Sequence, residues 1–424
     1  MLRQLVVKNS YSNILNSGAI KAILNYTTFN SVNHAYRFRA YCSIAPPPYK
    51  VLFFGTDQVS INTLTLLHEN NKIKNNNNNN NADTSISTNN SNNKLVVDEL
   101  EVVCPDNKNE LVYQYAKSNN IPMYHPDKEN GMKGFKVPLS SKSNQPFDIA
   151  IVVSFGYFIP KSVLSSFKYG GINMHPSLLP RHRGPAPIHH TLLSGDKETG
   201  ISIITLDPKK FDVGDILLQT RQKIRPDILY LELTNKLTTN GAAMVIKTLE
   251  QFVEMSKNAV AQSEVGATKA PKVNRQQSKI EWSQHDCATI WNMYRAFSDT
   301  IGVSTTVYSK KYKNWKRLKI TGMLAPPGAG VDPVANSKLY SSLNEDLKQL
   351  SGAEPYGTYF LGTNKLMWIK AKDGWIGVSK IYEDGKKNDV QAHEFLFGKA
   401  VVSPTKSNNS IAEKIEIPTT QVFV

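Results

Sequence analysis

Residues 171–188 read GINMHPSLLPRHRGPAPI, and the rest of the chain is best understood outward from them. Asn173 and His175 stand two apart, so at the end of a strand their side chains share one face. A Pro-Ser-Leu-Leu-Pro turn and a basic Gly/Pro-rich loop follow. An amide donor beside an imidazole suits a site that holds an oxyanion and moves a proton. Upstream, residues 147–153 (FDIAIVV) read as a fully buried strand and 156–160 as the turn ending it. Downstream, residues 199–207 (TGISIITLD) alternate like another strand and lead into 211–217 (FDVGDIL), which brings Asp212 within reach of His175. Asp207 and Asp215 share that stretch, and Asp215 reads as a helix or turn cap.

The first element, residues 50–57 (KVLFFGTD), reads as a buried strand whose closing turn opens a helix through Leu64, Leu66 and Leu67. The start is Rossmann-like, yet Gly-x-Gly-x-x-Gly is absent, so no dinucleotide is expected. Beyond Asp215, residues 230–255 have helical spacing, and a helix is expected at 288–297. Short strands at 302–308, 315–322, 357–360, 365–371 and 374–381 suggest a small β-barrel. The stretch 324–352, with Pro, Gly and Ser, reads as an inserted loop.

Asn-x-His at 173–175, Ser-Leu-Leu-Pro at 177–180 and Asp-Val-Gly-Asp at 212–215, in this order, resemble the folate-dependent formyltransferases. Within that superfamily the wording is most similar to the methionyl-tRNA formyltransferase family of mitochondrial type, across residues 49–400. The resemblance implies an α/β fold: a Rossmann-like formyltransferase domain with a mainly parallel sheet, then a small C-terminal OB-like β-barrel domain. It also implies formyl transfer from 10-formyltetrahydrofolate to the α-amine of methionyl-initiator-tRNA. Asn173 would donate to the developing oxyanion. His175 would join it or handle the amine's proton, and Asp212 would orient His175. Ser177, Leu178, Leu179 and Pro180 match the family's folate-binding turn. Gly156 and Tyr157, just beyond a strand's carboxyl end, are expected to wall the pterin. Arg181 and Arg183 either face the substrate or form a solvated turn.

The expected organisation is a mitochondrial transit peptide at 1–45, a catalytic domain at 49–260 with a disordered Asn-rich insertion at 71–94, and a linker at 261–279. An OB-like tRNA-binding domain at 280–400 and a tail at 401–424 complete it. The first fifty residues hold six Lys/Arg and no acid, the first acidic residue being Asp57. That composition is presequence-like, so the expected location is the mitochondrial matrix, the alternative being a disordered basic tail on a cytosolic enzyme. The whole chain carries a net charge of +15, leaving +9 beyond residue 50, which suits a polyanionic partner. Lys310, Lys311, Lys313, Lys316, Arg317 and Lys319 crowd around Tyr312 and Trp315, the pattern either of a surface that tracks phosphates and stacks bases or of a solvated hairpin.

Three scattered cysteines, Cys42, Cys104 and Cys287, argue against a disulfide framework and a zinc site. No metal is expected, nor a membrane partner; the expected partners are reduced folate and initiator tRNA, acting on a monomer. Two departures from the family stand out: residues 105–110 (PDNKNE) replace a long basic loop of bacterial members, and Ser298-Asp-Thr-Ile301 replaces the usual Asn-Pro-x-Pro. A 10-formyltetrahydrofolate hydrolase, a formyltransferase acting on a small-molecule amine, and an idle tRNA-binding protein are the alternatives. Asn173 counts against the hydrolase, and the intact Asn173, His175 and Asp212 set counts against an idle protein.

Overall fold

A computed structural model of the chain describes residues 45–79, 94–309, 314–331, 333–348 and 352–397. The expected transit peptide up to Ser43, the tail from 401, and Lys310, Lys311 and Lys313 lie outside them. The first half alternates strands and helices: β1 (Tyr49–Gly55), α1 (Gln58–Asn79), β2 (Val97–Val103), α2 (Leu111–Ser118), β3 (Met123–Tyr124), β4 (Ile149–Val153), α3 (Lys161–Leu164) and β5 (Gly171–His175). Then follow α4 (Pro187–Leu193), β6 (Glu198–Thr205), β7 (Ile216–Lys223), α5 (Tyr230–Glu250) and α6 (Phe252–Lys257). The seven strands form one sheet in the order β3-β2-β1-β4-β5-β6-β7. β3 through β5 run parallel, while β6 and β7 are antiparallel additions. This is the mainly parallel sheet anticipated from the sequence.

Burial follows the pleat. Val51, Phe53, Ile149, Ile151, Ile172 and Met174 enter the main core with Leu233, Leu237 and Val245 of α5. The alternate residues Leu52, Phe54, Ala150 and Val152 face a second core on the other side, with Phe147, Phe155 and Phe167. Asn173 and His175 alternate with Ile172 and Met174 and so project to that second face. Asn173 lies opposite Val152 of β4 and Ile204 of β6, and His175 opposite Ser202.

Several boundaries differ from expectation. Residues 71–79, assigned above to a disordered insertion, continue α1. The Asn70 carboxamide accepts from Val96 N and Val97 N (2.9 and 3.1 Å), and Asn71 Nδ2 donates to Asp98 O (2.9 Å), so tertiary contacts to the start of β2 hold the helix at the point where the insertion was expected to begin. The 230–255 helix divides at Gln251 into α5 and α6. Residues 261–279, expected as a linker, run along the loop after β5: Arg183 N donates to Thr268 O (2.9 Å) and Ala270 N to Arg183 O (2.7 Å).

The C-terminal part comprises α7 (Cys287–Phe297), β8 (Val303–Ser309), β9 (Asn314–Met323), α8 (Pro333–Leu347), β10 (Tyr359–Leu361), β11 (Met367–Lys370), β12 (Trp375–Glu383), β13 (Val390–Gln391) and α9 (Ala392–Phe397). Its strands form an antiparallel sheet in the order β10-β11-β12-β9-β8, with β13 on β12. The loop expected over 324–352 contains α8. Leu343, with Tyr340 and Leu347 one turn to either side, packs on Phe360, Trp368 and Trp375. Turn residues just before the helix hid that spacing in the sequence. Asp299, inside the segment that replaces Asn-Pro-x-Pro, accepts from Leu231 N (3.0 Å) and so caps α5 of the first half. No helix among the described residues is long and apolar enough to cross a membrane.

Candidate active site

Three expected catalytic residues converge. Asn173 Nδ2 donates to Asp212 Oδ1 at 3.2 Å, and the same oxygen lies 3.6 Å from His175 Nδ1. The His175 and Asp212 side chains keep only 5 % and 11 % of their exposure. Asp212 Oδ2 accepts from Gly184 N (2.8 Å), so both carboxylate oxygens are engaged. The loop 206–215 therefore folds back from the end of β6 over the sheet face that carries Asn173 and His175.

The backbone makes that return possible. Asp212 has φ +56°, a left-handed conformation that a short polar residue tolerates better than most. Gly214 follows, and a Cβ there would overlap the Thr205 carbonyl oxygen. Gln262 Nε2 donates to both Asp212 O and Gly214 O (2.9 and 2.8 Å), clamping the loop from the segment beyond α6. Asp215 does not cap a helix. It leads into β7, and its backbone N–H and C=O pair with Thr205 (2.9 Å each).

His175 is fixed from its other side. Its Nε2 lies 2.9 Å from the carbonyl oxygen of His182, which only accepts, so Nε2 carries the hydrogen. The His182 ring donates from Nε2 to Asp196 Oδ2 (2.7 Å), and Arg181 grips the same carboxylate in bidentate fashion (2.9 and 2.6 Å). Burial pushes the Asp196 carboxyl up, but the hydrogen bonds from His182 and Arg181 outweigh it and hold it below the usual carboxylate range. The same pairing raises the Arg181 guanidinium. Arg183 bonds Gln262 and Glu264. Both arginines are therefore paired within the protein, so the turn is not merely solvated.

The Ser177–Pro180 turn is held by hydroxyls. Ser177 Oγ donates to Arg181 O (2.7 Å) and closes the turn. Ser202 of β6 donates to Ser177 O (2.7 Å) while accepting from Leu179 N and Gln219 Nε2 (3.2 and 2.8 Å). Ser177 and Leu179 are buried inside the turn, whereas Leu178 and Pro180 keep partly open surfaces. Gly156 is exposed at the carboxyl end of β4, with open space where a Cβ would stand; Tyr157 packs beside it on Phe155 (5.2 Å). These surfaces suit a planar ligand approaching main chain and apolar side chains at a strand end.

In the C-terminal sheet, Lys316 pairs with Glu383 (2.7 Å), Arg317 donates to Ser304 (3.2 Å), and Lys319 lies over the Tyr382 ring (5.8 Å). Among the described residues, no group of three or more His, Cys, Asp or Glu is gathered to hold a metal. The supports that the sequence did not reveal are His182, Asp196, Ser202, Gln219 and Gln262. Ser202 lies in the alternating strand 199–207, but alternation alone does not mark it as a support, and of the others only Asp196, after a Ser-Gly turn, had a recognisable local setting.

The chain matches the family model described as formyl transferase over residues 75–249, and formyl transferase, C-terminal domain, over 272–400. It is 31 % identical over 373 residues to the mitochondrial methionyl-tRNA formyltransferase of Homo sapiens, covering 87 % of this chain and 81 % of that one. It is 27 % identical over 349 residues to the methionyl-tRNA formyltransferase of Listeria monocytogenes, covering 82 % and 95 %. Among solved structures, an N-formyltransferase from Helicobacter canadensis in complex with folinic acid and dTDP-3-aminofucose aligns with a TM-score of 0.48 at 15 % identity, over 79 % of this chain and 100 % of that one.

Proposed function

This chain belongs to the methionyl-tRNA formyltransferase family, and from that premise we propose that Asn173, His175 and Asp212 transfer a formyl group from 10-formyltetrahydrofolate to the α-amine of methionyl-initiator-tRNA. The observation that carries the reading is the single Asp212 oxygen shared by the Asn173 amide and the His175 ring.

One Asn173 Nδ2 hydrogen is bound to Asp212, which leaves the second for the oxygen of the formyl group as the amine attacks its carbon. With the neutral ring's hydrogen held at Nε2 by His182 O, Nδ1 is the basic nitrogen. It takes the proton that the attacking amine loses, and the cation formed lies beside Asp212. The expelled folate N10 then takes up a proton. Gly156, Tyr157, Leu178 and Pro180 offer the open surfaces for the pterin, while Ser177 and Leu179 keep the turn in shape.

Mitochondrial relatives and a basic, acid-free segment before Asp57 support action in the mitochondrial matrix. The division into a catalytic part up to residue 260 and a tRNA-binding part from 280 accords with the two matched regions. The test uses 10-formyltetrahydrofolate labelled in the formyl group, Met-tRNA and the protein. Label in acid-precipitable tRNA is expected. Label in free formate alone would mean a hydrolase and would overturn the transfer reading.

A further inference from the structure

The loop between β6 and Asp212 carries side chains that the proposed chemistry leaves unused. Asp207 Oδ1 accepts from Lys209 N and Lys210 N (2.8 and 2.9 Å), an Asx turn that fixes the backbone while both lysine side chains stand exposed. Phe211 follows, 59 % exposed, and meets Phe158, 37 % exposed, edge to face with centroids 5.1 Å apart. Phe158 belongs to the loop after β4, the strand beside β5, and Phe211 immediately precedes Asp212. The pair therefore ties together the two loops that border His175. Two phenyl rings left in water at the mouth of a polar site mark a surface built to be covered.

We propose that Phe158 and Phe211 stack the terminal base of the acceptor tRNA, and that Lys209 and Lys210 take the phosphates preceding it in the strand. The inference rests on the formyl-transfer reading. The reacting amine reaches its base through one ester and one ribose, so the base must lie close to the catalytic carboxylate. Phe211 is one residue from it. Aromatic faces with adjacent lysines are the elements that hold single-stranded nucleic acid without reading its sequence. The described basic side chains of β9 engage Glu383, Ser304 and Tyr382, whereas Lys209 and Lys210 stand exposed beside the site. The pterin has its own open surfaces on Gly156, Tyr157 and Leu178.

The test compares three acceptor and donor constants in full-length protein: KM for Met-tRNA, for 2′(3′)-O-methionyladenosine, and for 10-formyltetrahydrofolate. Phe158→Ala and Phe211→Ala are each expected to raise KM for both acceptors by roughly five- to twentyfold, with the folate constant within about twofold. A displaced Asp212 would lower kcat, so an acceptor KM that rises with kcat within about twofold in both variants reports the aromatic pair and not a moved carboxylate. The double variant Lys209→Ala/Lys210→Ala is expected to lower the slope of log KM for Met-tRNA against log salt by about 1.4. Unchanged acceptor constants in all three variants, or a rise confined to the folate, would overturn the proposal. Wild-type protein that releases formate yet formylates neither acceptor would instead overturn the transfer reading, and this subsite with it.

Discussion

The His175 ring is held through Nε2 by the carbonyl oxygen of His182, 2.9 Å away and seven residues downstream in the loop that follows β5. His182 has φ +63°, and its side chain is anchored to Asp196, which also binds Arg181. The tautomer of the proposed base is thus set by a backbone group whose position depends on the half-buried Asp196 carboxylate.

Asp196→Ala is expected to loosen His182 and lower kcat about tenfold, with KM for both substrates within about twofold. Steady-state kinetics across pH checks it, because a ring free to change tautomer alters the kcat profile. A variant whose KM alone changes would contradict the positioning role.

Gly214→Ala places a methyl group against the Thr205 carbonyl oxygen and must displace the loop that presents Asp212. Overpacking of this kind costs about 1–3 kcal/mol. Urea unfolding should show that loss. Formylation should fall further than the stability change explains, since Asp212 moves with the loop. A variant of wild-type activity would refute the account of the return.

His189 lies against Tyr230 (4.0 Å between centroids) and Phe297 (5.9 Å), with its Nε2 buried and without a hydrogen-bond partner. Burial, with His190 adding to it, lowers its pKa to about 4. The folded state therefore keeps the ring neutral where the unfolded chain, near 6.5, takes up a proton. Its contribution is present in full above pH 6.5 and is lost as pH falls from there towards 4, by roughly 3 kcal/mol in total. His189→Phe should flatten the stability profile in that window. Unfolding midpoints at pH 7 and pH 4.5 that keep their wild-type spacing would argue against it.

What the sequence disclosed depended on where each residue's role originates. Asn173 and His175 were legible because their types and two-residue spacing state both chemistry and orientation, and Asp212 because it belongs to a compact motif. Asp196, Ser202, Gln219 and Gln262 act through contacts between strands and loops distant in the chain, which no local pattern encodes. Helix α8 was hidden by the turn-forming residues before it. Its Leu343, Tyr340 and Leu347 pack with Trp368, Trp375 and Phe360, far downstream. The basic run divides: Lys316, Arg317 and Lys319 lie on β9 with partners of their own, and the sequence alone did not distinguish them from free phosphate contacts.

The most direct measurement is single-turnover formylation of Met-tRNA by wild type, Asn173→Ala and Asp212→Asn, with folate and tRNA binding measured on the same samples. Loss of one preorganised oxyanion donor should slow Asn173→Ala by about 10²–10³, and Asp212→Asn should fall as well, while both substrates still bind. Rates near wild type in Asn173→Ala, with binding intact, would contradict the assignment of this site to the transfer.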